Sequence, residues 1–196
     1  WAAALRKMAE LGAEFLLPGH GLPIAGAERI KGVLTDTARY LESLFTQTID
    51  LMNAGARLDD IIHTVTPPDD LLGRPWLQPV YDEPEFVVRN IWRLYGGWYD
   101  GNPANLKPAP DAAVAAEVAA LAGGVDRLVE RALELSASGE HRLAAHLVEM
   151  ASLAQPDVDE VRSARAAVFG ARASIERSTM AKGVYSWAQR ESTTTD

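Results

Sequence analysis

The reading of the fold turns on AERIKGVLTDTARYLESLFTQTIDLMNA, residues 27–54. In it Ile30, Val33, Leu34, Leu41, Leu44, Phe45, Ile49, Leu51 and Met52 recur at spacings of three and four, the period of one helix face, and Gly55 follows as a stop signal. At 1.5 Å per residue such a helix spans roughly 42 Å. That is long for one element of a small domain. Its stripe, Leu41, Leu44 and Phe45 included, is therefore expected to be covered by a second copy of the chain in a two-fold, hydrophobic pairing.

Toward the N-terminus, residues 2–11 read as a short helix of good formers, closed by Gly12. Residues 13–17 are short and apolar, the pattern of a buried strand, and Pro18-Gly19-His20-Gly21-Leu22-Pro23 has too many breakers to be anything but a loop. Helix, strand and loop in that order look like the end of an α/β unit. Toward the C-terminus, residues 57–65 predict a further turn or two of helix. The proline-spaced residues 69–84 predict an extended strap, and residues 85–98 a helix with Val87, Ile91, Leu94, Tyr95 and Trp98 on one face. Asp100-Gly101-Asn102-Pro103 is a turn, because Gly101 tolerates positive φ and Pro103 keeps Asn102 out of the helical region. Beyond Pro110 helices are expected at about 111–122, 125–137, 140–154, 157–170 and 172–190, with breaks at Gly123-Gly124, Ser138-Gly139, Pro156 and Gly170. Alanines 132, 144, 145, 151, 164 and 167 would let these helices approach closely, in a packing like that of tetratricopeptide (TPR) repeats though without their strict period. Residues 192–196 read as a disordered tail.

Nineteen basic against 27 acidic residues leave a net charge of −8. With no cluster of Lys and Arg to offset it, such a surface repels nucleic acid and anionic membranes, so neither is expected as a partner. No apolar run approaches the roughly 20 residues of a membrane span. The absence of cysteine excludes disulfides, thiolate metal sites and cysteine nucleophiles, and leaves the compartment open. The chain opens on Trp1 and enters a helix at once, which reads as part of something larger.

Few residues carry chemistry on their own. None of the four histidines forms a His-x-His or His-Glu-x-x-His pair, and His63, His141 and His146 read as surface or packing residues. His20 stands apart, framed by Gly19 and Gly21 in a loop after a strand; it suits a metal ligand and equally a plain turn histidine. Trp92 and Trp98 read as core, while Tyr95 or Tyr99 could keep its ring packed and turn its hydroxyl into a pocket. Arg89 and Arg93, four apart, could share an anion or serve ion pairs. The acidic pairs Asp59-Asp60 and Asp69-Asp70 read as helix caps and solvated faces. There is no phosphate loop and no Gly-x-Ser-x-Gly elbow. These residues alone describe a helical interaction domain.

One constellation says more. Gly73-Arg74-Pro75-Trp76-Leu77-Gln78-Pro79-Val80-Tyr81, then Val88-Arg89-Asn90-Ile91, then Trp98-Tyr99-Asp100-Gly101-Asn102-Pro103-Ala104-Asn105-Leu106 resembles the alkyl sulfatases of the metallo-β-lactamase superfamily, over their helical dimerisation domain. The resemblance continues through Gly123-Gly124, Ala144-Ala145 and Pro156, and departs at Gly96, where the family has a larger apolar residue. It implies an all-α, TPR-like dimerisation domain over residues 27–191, preceded over residues 1–26 by a short remnant of an α/β metallo-β-lactamase catalytic domain. It further implies a homodimer, and an upstream catalytic domain with a binuclear zinc centre that hydrolyses alkyl sulfate esters to alcohol and sulfate. Within that picture His20 falls at the last metal-ligand histidine, Tyr95 is the first match and Tyr99 the second for a sulfate-contacting tyrosine, and these residues alone would be inactive. A stand-alone interaction module, or a relative acting on another ester, is the alternative.

Overall fold

The computed structural model describes residues 1–194, and residues 195–196 of the expected tail lie outside it. Nine α-helices and one two-stranded hairpin make up the regular structure of the described residues, so the protein is all-α. They form two compact units, one of residues 1–105 and one beginning at Leu106.

The first unit is organised by α2, Ala27–Asn53. The helix forms where the period predicted it, but its stripe is largely consumed by its own unit. Ile30, Leu34, Ala38 and Leu44 are buried, Leu41 and Ile49 are half-buried, and only Phe45 keeps as much as 40% of its surface. Two neighbours do the covering. α1 (Ala2–Glu10) packs along α2 and is tied to it by a two-pronged ion pair from Arg6 to Glu42. α4 (Pro84–Gly96) packs against α2 and against α3 (Leu58–Thr64), closing a core of Leu44, Ile61, Ile62, Val65, Val88 and Trp92. Local elements thus cover much of the stripe along which a two-fold pairing was expected, Leu44 completely, while Leu41 stays half-buried and Phe45 exposed.

Residues 13–17 also differ from expectation. They hold β1, Phe15–Leu16, which pairs antiparallel with β2, Ile24–Ala25, as a short hairpin whose Phe15 is 71% exposed. An apolar run predicts burial only if a sheet is there to receive it, and two residues of ladder provide none. The 69–84 strap is less extended than predicted, since it folds into 3₁₀ turns at Asp69–Leu71 and Pro75–Leu77. Polar clasps hold it to α2. Gln47 donates to the Thr66 carbonyl (2.8 Å) and accepts from its N–H, Asp70 pairs with Arg39 (2.9 Å), and Arg74 reaches Asp36 (3.1 Å) while lying over the Trp76 ring. Asp59-Asp60 and Asp69-Asp70 sit in the first turns of their helices, where carboxylates meet the free N–H groups, rather than at the N-cap positions themselves.

The second unit is a succession of antiparallel helices: α5 (Asp111–Ala122), α6 (Val125–Ala137), α7 (His141–Ala154), α8 (Asp159–Ile175) and α9 (Thr179–Thr193). Each packs on the next, and α5 also meets α7 and α6 meets α8, the pattern of stacked helix pairs expected of a TPR-like fold. Alanines make the close approaches: Ala132, Ala144, Ala151, Ala164 and Ala188 are all buried. Arg165 on α8 joins three helices, donating to Glu149 of α7 (2.8 Å), to the Ala188 carbonyl of α9 (3.1 Å) and to Ser192 (2.8 Å). Burial would push its guanidinium down, yet Glu149 and Glu191 hold it above its ordinary value. The last break falls at residues 176–178, not at Gly170. Gly170 stays inside α8 because α9 crosses there, so closely that a β-carbon would meet the Gln189 amide at 2.7 Å. α9 likewise extends through Ser192 and Thr193, where disorder was expected, since the Ser192 hydroxyl bonds both Arg165 and the Ala188 carbonyl.

Leu44 is fully buried at the meeting of α2, α3 and α4. Leu44→Ala should therefore cost about 2–5 kcal/mol, read as a lower denaturant midpoint with the slope unchanged.

Candidate functional site

The aromatic end of α4 and the loop after it carry two of the candidate residues. Pro84 starts α4 at a position where no N–H is needed, and Val88 and Trp92, four apart, turn inward. A buried indole needs a partner for its N–H, and Trp92 finds one beyond the helix end, donating to the Tyr99 carbonyl at 3.1 Å. The chain reverses at Gly97, and the Asp100 carbonyl accepts from the N–H of Leu58 (3.0 Å), docking the loop on the start of α3. The Asp100 carboxylate then organises the turn, accepting from the Asn102 N–H (2.8 Å) and the Asn105 amide (2.5 Å). Gly101 takes φ 90° directly against the Arg57 stem, where a β-carbon would lie 3.0 Å from Cγ. The motif that carried the resemblance is in this chain first a structural lock.

The lock sets the tyrosines apart. Tyr95 lies on the outer side of α4 with its ring edge-on to Phe45 of α2 at 5.7 Å; it is 58% exposed and its hydroxyl has no hydrogen-bond partner among the described residues. Tyr99 is half-buried and stands edge-on to Trp98 at 6.1 Å. The helix ends between them, so they do not share a face. Trp92 is core as expected, but Trp98 is 74% exposed: helical spacing put it inside, and the helix stops two residues before it. Gly96 has a local reason as well, since a β-carbon there would meet the Met52 methyl at 3.0 Å and the Trp92 ring at 3.4 Å.

His20 lies exposed in the loop joining β1 to β2. Among the described residues no three His, Asp or Glu side chains gather as a metal site, so on their own they do not fit a binuclear zinc centre. Of the other histidines, His63 stands 3.6 Å from Asp59 on the surface of α3, His141 lies 3.4 Å from the Ser136 hydroxyl, and His146 is exposed. Sequence reasoning missed one feature, a polar cleft of about 440 Å³ lined by Arg57, Asp59, Asp60, Arg89, Asp100 and Asn105. Its signal was the Asp100, Asn102 and Asn105 spacing beside the acidic pair, which read only as a turn. Arg89 lines the cleft and Arg93 does not, so the pair does not act on a shared anion there.

The Asn102 N–H and then the Asn105 amide hold the Asp100 carboxyl below the usual carboxylate range, with burial opposing them. A carboxyl lowered in the folded state adds stability that is fully present above its unfolded pKa of about 3.9 and is lost as pH falls through the folded value. The melting-temperature gap between the parent and Asp100→Asn should thus be widest near neutrality and shrink below about pH 4. A gap that grew on acidification would contradict this origin.

The comparisons with known proteins agree with this architecture. The family profile for alkyl sulfatase dimerisation matches residues 57–194. A linear primary-alkylsulfatase from Pseudomonas sp. (strain ATCC 19151) is 32% identical over 170 residues, 86% of this chain and 32% of that protein. An alkyl/aryl-sulfatase of Saccharomyces cerevisiae is 31% identical over 76% of this chain and 23% of its own length, so the chain spans a third or less of these relatives. The solved structure of a stereoselective inverting sec-alkylsulfatase from Pseudomonas sp. superposes with a TM-score of 0.92 over 100% of this chain and 32% of that one; at 24% identity it shows a shared fold. With the profile covering both α3–α4 and the whole α5–α9 stack, the chain belongs to the alkyl sulfatase dimerisation family.

Proposed function

We propose that this chain is the self-associating part of an alkyl sulfatase, an enzyme that hydrolyses alkyl sulfate esters to alcohol and sulfate, and that it holds two copies together while forming one wall of the active site. The family match over residues 57–194 carries the reading. Relatives aligned over most of this chain are named as alkylsulfatases and extend well beyond it, which leaves room for a catalytic domain outside these residues.

Two residues carry the chemical side of the proposal. Tyr95 has an exposed ring fixed against Phe45 and a hydroxyl with no partner among the described residues, the arrangement of a group free to donate to an incoming anion. Tyr99 is the second candidate, with its backbone held by Trp92. His20, in an open loop flanked by glycines, is suited to be one zinc ligand, its fellow ligands coming from outside these residues. Residues 1–26 would then be the last part of the catalytic domain.

The experiment measures sulfate release from a medium-chain alkyl sulfate by the complete protein that carries these residues. No release, with turnover of a different ester instead, would keep the fold and overturn the substrate. Tyr95→Phe keeps the ring contact and removes the donor. A hydrogen bond to a charged group contributes about 1.5–3 kcal/mol, so turnover should fall roughly 10- to 100-fold with an unchanged melting temperature. Unaltered kinetics would transfer the role to Tyr99 or remove it from this loop.

A further inference from the structure

Resting on that self-associating reading, we infer that the second copy docks on the outer face of α9, with the two α9 helices crossing antiparallel about a two-fold axis near Gly183 and Val184. α9 is amphipathic twice over. Ala181, Ala188 and Ser192 turn inward, and Tyr185 stacks on Phe169 of α8. On the opposite side Met180, Val184 and Trp187, at spacings of four and three, are 39%, 64% and 57% exposed and form a continuous apolar stripe. Gly183 lies on the same face, and a β-carbon built there meets nothing within 4 Å. It leaves a bare patch of backbone in the middle of the stripe, where a second helix can approach closely.

Four considerations select this face and this occupant. The segment to which the family match assigns dimerisation reaches residue 194 and so includes all of α9, whereas the whole of α2 lies before its first residue, 57. Most of the α2 stripe is already covered within its own unit, with Phe45 the exposed exception. The apolar residues around the end of α4, Leu94, Tyr95 and Trp98, are broken up by the helix end at Gly96 and offer no comparable length of helix face. The α9 stripe is also self-complementary. In an antiparallel crossing centred between residues 183 and 184, each Met180 meets the partner's Trp187 and the two glycines face each other's valines. An isologous interface requires that reciprocity, with Trp as the anchor of a kind enriched at binding hot spots.

The test uses the purified chain and its freedom from cysteine. Sedimentation should show a dimer at tens of micromolar. Val184→Lys with Trp187→Glu should raise the dissociation constant about 30-fold or more while helicity by circular dichroism stays the same. Gly183→Cys, which needs no repacking, should give a covalent dimer under mild oxidation, because a disulfide requires Cα atoms within about 7 Å. Val114→Cys, on α5, should not. A monomeric parent would overturn the self-association reading itself. A dimer that persists in the doubly charged variant, or that cross-links through Val114→Cys and not Gly183→Cys, would leave that reading standing and overturn the α9 face.

Discussion

The first unit depends on one hydrogen bond, from the buried Trp92 indole to the Tyr99 carbonyl. An indole placed between α2, α3 and α4 contributes a large apolar surface, but its N–H must be satisfied or the burial loses much of its advantage. The partner lies seven residues on, past the end of the helix, so the chain has to turn back within that interval. Everything in the following segment serves the reversal: Gly97 in a left-handed conformation, the Asp100 carbonyl on the start of α3, the Asp100 carboxylate across the turn, and Gly101 pressed on Arg57. Tyr95 lies on the exposed side of α4, away from the buried Val88 and Trp92, with its ring edge-on to Phe45.

Much of this was legible in the residues, and the places where reading failed share a cause. The long α2, the Asp100–Pro103 turn and the helical stack after residue 110 are local patterns, written in periodicity and turn chemistry, and they appear close to where the sequence put them. Burial is not local. The apolar run at residues 13–17 looked like a buried strand, and Trp98 looked like core, since an apolar residue is the same in a sequence whether or not a neighbour arrives to cover it. Gly170 was read as a break because glycine weakens helices; it instead lies within α8, with the Gln189 amide of α9 packed on it. As for the candidate site, the sequence singled out Tyr95, Tyr99 and His20, but not that the helix end would separate the two tyrosines.

The second unit shows a different balance. Its closest approaches are made by alanines, which each remove little apolar surface, set among larger buried residues such as Leu128, Leu135, Val148, Val168 and Phe169. Polar ties compensate at the end of the stack, where Arg165 gathers Glu149, Glu191, Ser192 and the Ala188 carbonyl while its guanidinium lies over the Phe169 ring. α9 divides its bulky side chains between the two sides: Tyr185 stacks inward on Phe169, whereas Met180, Val184 and Trp187 are turned outward. The stack is thereby closed on one side of its last helix and carries an uncovered apolar stripe on the other.

The N-terminal segment follows the opposite logic. A two-residue ladder such as that of β1 and β2 is marginal by itself, so the hairpin holds its place by leaning on α2 rather than by sheet pairing. His20 sits at the far end of that hairpin loop, with Gly19 and Gly21 on either side and no side chain to fix its ring. A metal ligand must be held in direction as well as in place, usually through a hydrogen bond on its second ring nitrogen. None of the described residues supplies that bond to His20. A ligand role for His20 would therefore need its second ring nitrogen held by a group from outside the described residues, and the exposed Phe15, Leu17 and Leu22 on either side of the loop are apolar surface on which such a neighbour could pack.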